Sequence, residues 1–180
     1  MAWNKQQFRG AVYDWFSSQR ADNEAATAAF IGSEYHKASA AAVPVQFAAL
    51  PAGLKGPAVV DIGFLTSFLS CRASDEDDTV DNWKPAALGI IAYWTAVPFA
   101  LTPPPPGGLT GITNLTISPG TVNPLAEDIF TAFSSDTPED CADKLTLAMT
   151  NHLKTVKGLW TGTAPGSPPP PFTFPWTSLK

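Results

Sequence analysis

Cysteine, histidine and charged residues are all scarce in this chain of 180 residues. It contains two cysteines and two histidines, and charged residues make up only 15% of the sequence. Two cysteines are too few for a disulfide framework, so we expect Cys71 and Cys141 to be buried structural thiols. The formal net charge of −5, without clustered Lys and Arg, argues against a role on nucleic acid. A surface so poor in charge is typical of a protein that lies against neighbouring subunits.

Catalytic motifs are missing as well. No serine lies in a G-x-S-x-G elbow, no C-x-x-C occurs, and no glycine loop has the spacing that cradles phosphates. His36 and His152 are far apart in the sequence, and the apolar stripe around His152 predicts a packed core histidine. Cys141 lies on the same predicted helix, about 16 Å from His152 at 1.5 Å per residue, which rules out direct Cys–His pairing. We therefore expect a protein that is not an enzyme, with no catalytic residue and no cofactor.

The sequence also lacks a metal-binding loop and a membrane segment. The acidic run at residues 75–78 has neither the glycine nor the closing glutamate of a calcium loop, which predicts a solvated turn and no metal. The longest apolar runs, residues 58–69 and 86–101, are interrupted by Asp61 or Pro98 and are shorter than the roughly 20 residues that span a bilayer. The N-terminus has no apolar signal segment, so we expect a protein made in the cytoplasm.

Apolar residues at helical spacing are abundant. They make up 44% of the chain, enough for one sizeable core. The pattern predicts a mainly α fold, a single domain with helices near residues 3–16, 22–43, 57–69, 81–97, 124–133 and 137–158. Short strands are expected only around residues 45–47 and 115–117. The buried stripes are predicted to include Val60, Phe64, Leu65, Phe68 and Leu69 in the third helix, and Ala87, Ile90, Ile91, Tyr93 and Trp94 in the fourth.

The last of these helices has the clearest boundaries. Thr137 can accept a hydrogen bond from the Asp140 amide, and Pro138 suits the first helical position. Gly158 can take the left-handed cap at the other end. Between them an apolar stripe is predicted, formed by Cys141, Leu145, Ala148, Met149, His152 and Val156. Together with the preceding helix, this one should form an antiparallel αα-hairpin.

Proline-rich segments divide the remainder of the chain. Connectors are predicted at residues 44–57 and 98–120, within a helical domain of residues 1–160 that is followed by an arm of residues 161–180. In this arm Phe172, Phe174 and Trp176 alternate with Thr173 and Pro175, which would present the aromatic rings to one side of an extended segment. Exposed rings would favour aggregation, so we expect them to be buried on their own domain or on another subunit. The residues predicted to make subunit contacts are Phe172, Phe174, Trp176, Pro169 and Pro104.

An Ala- and Thr-rich helical domain with proline-rich connectors and an aromatic tail resembles the small structural proteins of viral particles. Tail, neck and minor capsid components of phages and large DNA viruses are of this kind. The resemblance implies a non-enzymatic subunit that contacts copies of itself and other subunits through extended arms and ends in a virion. The alternative is a small cytoplasmic enzyme or ligand-binding domain, with an aromatic pocket among Trp83, Tyr93, Trp94 and Trp160.

Overall fold

The protein folds as a mainly helical domain, as the sequence predicts. A computed structural model describes residues 3–18, 23–40, 42, 56–74, 78–95, 111–163 and 166–179. The helices in this part of the chain are α1 (Lys5–Ser17), α2 (Glu24–Ser39), α3 (Ala58–Ala73), α4 (Lys84–Thr95), α5 (Val122–Phe133) and α6 (Pro138–Thr155). The strands are β1 (Gly111–Ser118), β2 (Lys157–Thr163) and β3 (Pro171–Trp176), and a short 3-10 helix, Val80–Trp83, leads into α4.

The helices pack in a closed ring that follows the order of the chain. Each helix contacts the next one, and α6 closes the ring on α1, where Arg9 donates to Asp143 and Glu139. For description we divide the ring into two layers of consecutive helices, α2–α3–α4 and α5–α6–α1, and both contribute buried residues to the core. The largest fully buried side chains in and around that core are Trp94, Trp176, Tyr35, Tyr93, Phe8, Phe64, Ile31, Ile90, Ile129, Leu145 and Met149.

Glycines bring the helices of the first layer into unusually close contact. A Cβ on Gly63 of α3 would lie 2.5 Å from the Pro85 carbonyl oxygen, and one on Gly89 of α4 would lie 2.8 Å from the Val59 carbonyl oxygen. A Cβ on Gly32 of α2 would collide with the carboxylate of Asp61 on α3. The layer therefore requires glycine at these positions, because any side chain would push the helices apart.

Two predicted core positions on α3 and α4 are wrong. Val60 and Phe64 are fully buried, but Leu69, predicted to lie on the same stripe, is 52% exposed. On α4 the fully buried isoleucine is Ile90, whereas Ile91 is only partly buried. Both helices are apolar on nearly every side, so the hydrophobic pattern alone could not determine which side faces the core.

The start of α6 is confirmed and its end is wrong. The Thr137 hydroxyl accepts from the Asp140 amide at 3.1 Å, and Pro138 occupies the first turn. The helix ends at Thr155, however, because Val156 is extended and fully buried, and Lys157 begins β2. Gly158 is thus a strand residue and no helix cap. Pairing with two neighbouring strands has overridden the local capping signal.

Two other helix starts differ from the prediction. The residue that caps α2 is Asn23, whose side chain accepts from the Ala26 amide at 2.9 Å, so the helix begins at Glu24 and not at the predicted residue 22. The backbone at Asn23 is extended, which places its side-chain oxygen near that amide. Helix α5 begins at Val122 after Thr121 and not at the predicted Asn123–Pro124. The predicted α5–α6 hairpin is present.

The strands form one antiparallel sheet in the order β1-β2-β3. The strand predicted at residues 115–117 is confirmed as part of β1, and the one predicted at residues 45–47 lies outside the described residues. The tail supplies β3, so the aromatic segment is extended, as predicted, and is docked on its own chain.

The docking of the tail depends on close packing around Gly158. Trp176 is opposite Gly158 in the sheet, and its indole covers the glycine so closely that a Cβ there would overlap the ring. Trp176 is 1% exposed, and Leu179 beyond it is also buried. The Leu179 amide donates to the Leu153 carbonyl at 3.0 Å, which ties the end of the tail to α6.

Candidate functional site

One side of the α2–α3–α4 layer carries mostly uncharged side chains. Helices α2 and α3 run antiparallel, as do α3 and α4, and the glycine contacts fix which residues of each helix point away from the core. The exposed residues on this side, here called the outer face, are Ala26 and Ala29 of α2, Ala58, Ile62, Thr66, Leu69 and Ala73 of α3, and Leu88, Ala92 and Thr95 of α4. None of these ten side chains is charged; the one exposed charge on the same side of α2 is Lys37, which pairs with Glu34.

Three large aliphatic side chains project from the outer face. Ile62 is 65% exposed, Leu69 is 52% exposed and Leu88 is 50% exposed. Ile62 and Leu69 are two helical turns apart on α3, and Leu88 precedes the glycine of α4 that contacts α3. Because the glycines hold α3 and α4 so close, these side chains belong to one continuous apolar surface and not to separate ones.

Charged residues near the outer face are neutralised within the chain. Arg72 Nη1 lies 2.6 Å from Glu24 Oε1 across α3 and α2, and Lys84 Nζ lies 2.7 Å from Asp81 Oδ1 at the start of α4. These exposed pairs contribute little to stability. Both pairs lie at the end of the layer where α3 ends and α2 and α4 begin, so the charge at that edge of the outer face is compensated.

The sequence contains an indication of the outer face beyond the predicted core positions. Leu69 was assigned to the core, and Ile62 and Leu88 were assigned no role. Apolar residues occur on more sides of α3 and α4 than one core can cover, and such helices are typically buried on both sides. The excess apolar surface was visible in the sequence, but its position depended on the glycine contacts.

His152 lies in a small pocket between α5 and α6. Its Nε2–H donates to the Pro119 carbonyl at 2.7 Å, which leaves Nδ1 as an unprotonated acceptor that is buried without a partner. Burial lowers the pKa of His152 to about 4. The pocket has a volume of 80 Å³ and also contains Asp128, Asn151 and Thr155; burial raises the pKa of Asp128. Since one water needs only about 10–15 Å³ of such space, the pocket has room for water. The predicted packed, hydrogen-bonded core histidine is confirmed.

Both cysteines are free thiols of low reactivity. Cys141 is buried as predicted, and burial raises the pKa of its thiol to about 11. Cys71 is only partly buried, and its Sγ donates to Asp78 Oδ1 at 3.1 Å. Burial, followed by the neighbouring carboxylate, raises its pKa to about 12. The same Asp78 oxygen accepts from the Trp83 indole at 2.9 Å, so Asp78 links α3 to the turn before α4.

The residues predicted to make subunit contacts are placed as follows. Trp176 is buried by its own chain, Phe172 is partly exposed on β3, and Pro169 is exposed in the turn before β3. Phe174 is paired in β3 with Trp160 of β2. Pro104 lies outside the described residues. A role of these residues in subunit contacts stays a prediction.

Three of the four aromatic residues of the alternative ligand pocket, Trp83, Tyr93 and Trp94, lie in the core. Trp83 stacks on Phe133 with ring centroids 4.4 Å apart. The Trp94 indole donates to the Tyr35 hydroxyl at 2.7 Å, and Tyr93 packs edge-on against both rings. Trp83, Tyr93 and Trp94 are all at most 2% exposed, so their rings are part of the packed interior and do not line an open cleft.

The described residues form no candidate metal site and no candidate membrane span. In the ranges that the structure describes, no group of three or more His, Cys, Asp and Glu side chains is arranged to hold a metal ion. None of the helices in the same ranges combines the length and the apolar character needed to cross a membrane. The acidic run is described only at Asp78, whose contacts are with Cys71 and Trp83.

Comparison of the chain with protein-family models, with curated proteins and with solved structures finds no match.

Proposed function

We propose that this protein is a non-enzymatic structural subunit of a large protein assembly, and that copies of it associate through the outer face. The observation that supports this most strongly is the exposure of Ile62, Leu69 and Leu88 on a surface with little charge. A monomer in water gains nothing from presenting these side chains together, whereas a subunit that buries them gains hydrophobic free energy.

The size of the outer face fits a contact between subunits. Helix α3 has 16 residues and is therefore about 24 Å long at 1.5 Å per residue. Three helices side by side at about 9 Å spacing make a surface of roughly 600 Å². That is at the upper limit for apolar patches on monomers, and it approaches the roughly 800 Å² that each partner contributes to a standard interface.

The occupant of the outer face is a second copy of the chain. An uncharged surface is complementary to another uncharged surface, and in a two-fold contact the same surface meets itself. Burying Ile62, Leu69 and Leu88 fully should contribute about 1 kcal/mol per side chain, or about 6 kcal/mol over two copies. Contacts between the alanines and threonines around them add to this and offset the entropy lost on association.

The assembly that we propose is a viral particle, in which the protein is a tail, neck or minor capsid component. The resemblance of the sequence to small virion proteins supports this choice. A chain with only 15% charged residues and a broad apolar face suits a position between other subunits better than an isolated monomer in solution.

The test is to place a charge on the outer face and measure the oligomeric state. Leu88→Glu should leave the fold intact, because half of the side chain is already in solvent, and should convert oligomers to monomers in sedimentation velocity. The matched control is Leu147→Glu, which changes an equally exposed leucine on α6. It should leave the oligomer unchanged. A wild-type chain that stays monomeric, or an oligomer that survives Leu88→Glu, contradicts the proposal.

A further inference from the structure

A second surface, between α1 and α2, has a different chemistry. Trp15 of α1 stacks on Phe30 of α2, with ring centroids 4.2 Å apart and planes inclined by 13°. The Trp15 indole donates to the Thr27 hydroxyl at 3.2 Å, which holds the ring in place. Both rings are partly exposed. They form a wall of an open groove of 590 Å³ between the two helices.

The polar lining of this groove is acidic. Its described lining residues include the carboxylates of Asp14 and Glu34 and the hydroxyls of Ser17 and Ser18, and no basic side chain is among them. Glu34 is held in position, since its side chain is only 12% exposed and pairs with Lys37 on the next turn of α2. Asp14 is exposed at the other side of the groove.

Aromatic rings beside carboxylates are the arrangement that recognises cations. The face of an indole or phenyl ring attracts a cation through its quadrupole, and a carboxylate adds direct attraction. A guanidinium suits the groove better than an ammonium, because it is planar, stacks on aromatic faces and pairs with a carboxylate through two hydrogen bonds. Nucleic acid is the wrong partner here, since phosphates would be repelled by both acids.

We propose that the groove between α1 and α2, formed by Trp15, Phe30, Asp14 and Glu34, binds an arginine side chain presented by a peptide segment of a partner protein. A volume of 590 Å³ exceeds one side chain and is within the roughly 300–1,000 Å³ of ligand sites, so it takes the arginine with its flanking residues. This site adjoins the outer face at Ala26 of α2 but does not depend on the proposed self-association.

The experiment titrates the full chain with acetyl-Gly-Arg-Gly-amide and follows the Trp15 indole N–H resonance, assigned by its loss in Trp15→Phe. We expect a saturable shift with a dissociation constant on the order of millimolar. Citrulline has the same shape without the charge, and the citrulline peptide should cause no shift. The lysine peptide should bind more weakly than the arginine peptide, and added salt should weaken binding.

Conservative variants test the named residues without disturbing the fold. Phe30→Leu keeps an apolar side chain but removes the ring, and Glu34→Gln keeps the shape but removes the charge; each should weaken binding about 3- to 10-fold. Glu127→Gln removes an exposed carboxylate on α5, outside the groove, and should have no effect. Absence of a saturable shift, equal binding of the citrulline peptide, or tighter binding of tetramethylammonium than of the arginine peptide would overturn the proposal.

Discussion

Removal of the Trp176 side chain should destabilise the monomer. The indole is 1% exposed and is enclosed between the sheet and the core. Truncation of a fully buried tryptophan to alanine typically costs about 3–5 kcal/mol, because the transfer free energy is lost and a cavity remains. We expect Trp176→Ala to lower the free energy of unfolding by that amount.

The same contact can be disturbed from the other side. Gly158→Ala would place a Cβ inside the volume of the Trp176 ring, so the strand or the ring must shift at a cost of about 1–3 kcal/mol. Thr173→Ala, which changes an exposed side chain between two aromatics of β3, should alter stability by no more than about 0.5 kcal/mol. The assay is urea unfolding followed by circular dichroism. If Trp176→Ala costs less than about 1 kcal/mol, the tail is not docked on its own chain in solution.

Three further predictions concern the core and its titrating groups. Leu145→Ala and Ile90→Ala should each lower the free energy of unfolding by about 2–5 kcal/mol in urea unfolding, because both side chains are fully buried. Ile91→Ala should cost clearly less. Equal losses at residues 90 and 91 would contradict the assignment of Ile90 to the buried side of α4. Burial raises the pKa of Asp61 to about 6, so its contribution to stability is full below about pH 4 and is lost as the pH rises through 6. Asp61→Asn should therefore gain about 1 kcal/mol at pH 7, after allowance for partial exposure of the carboxyl, and no gain would refute this. The contribution of His152 to stability has the opposite pH dependence. Because its pKa is about 4 in the folded state, this contribution is full above about pH 6.5 and is lost as the pH falls to 4. The loss is about 3 kcal/mol, and His152→Gln should abolish it in pH-dependent unfolding.

The sequence predicted helix ends correctly where the end depends on a contact within one helical turn. Thr137 caps α6 as expected, because its hydrogen bond to the Asp140 amide depends only on residues three positions apart. The end of α6 could not be predicted in this way. Gly158 is a good local cap, but the backbone there pairs with β1 and β3, which are distant in the sequence. Sheet pairing is a tertiary interaction that a local pattern does not contain.

The sequence predicts contacts with neighbouring subunits, but it does not predict which residues of the proposed surface make them. The low charge of the chain indicated extensive contacts with neighbours, and the sequence assigned these to the tail. The structure docks Trp176 of the tail on its own sheet and exposes Ile62 and Leu88 instead. Which side of α3 faces outward is decided by its contact with Gly89, and that contact involves two glycines with no hydrophobic signal of their own.

Native mass spectrometry of the purified full chain across a range of protein concentrations tests the central claim most directly. Self-association through the outer face predicts species with two or more copies of the 19.1 kDa chain, which dissociate on dilution and are absent in Leu88→Glu. A wild-type protein that stays at the mass of one folded chain at every concentration would contradict the account.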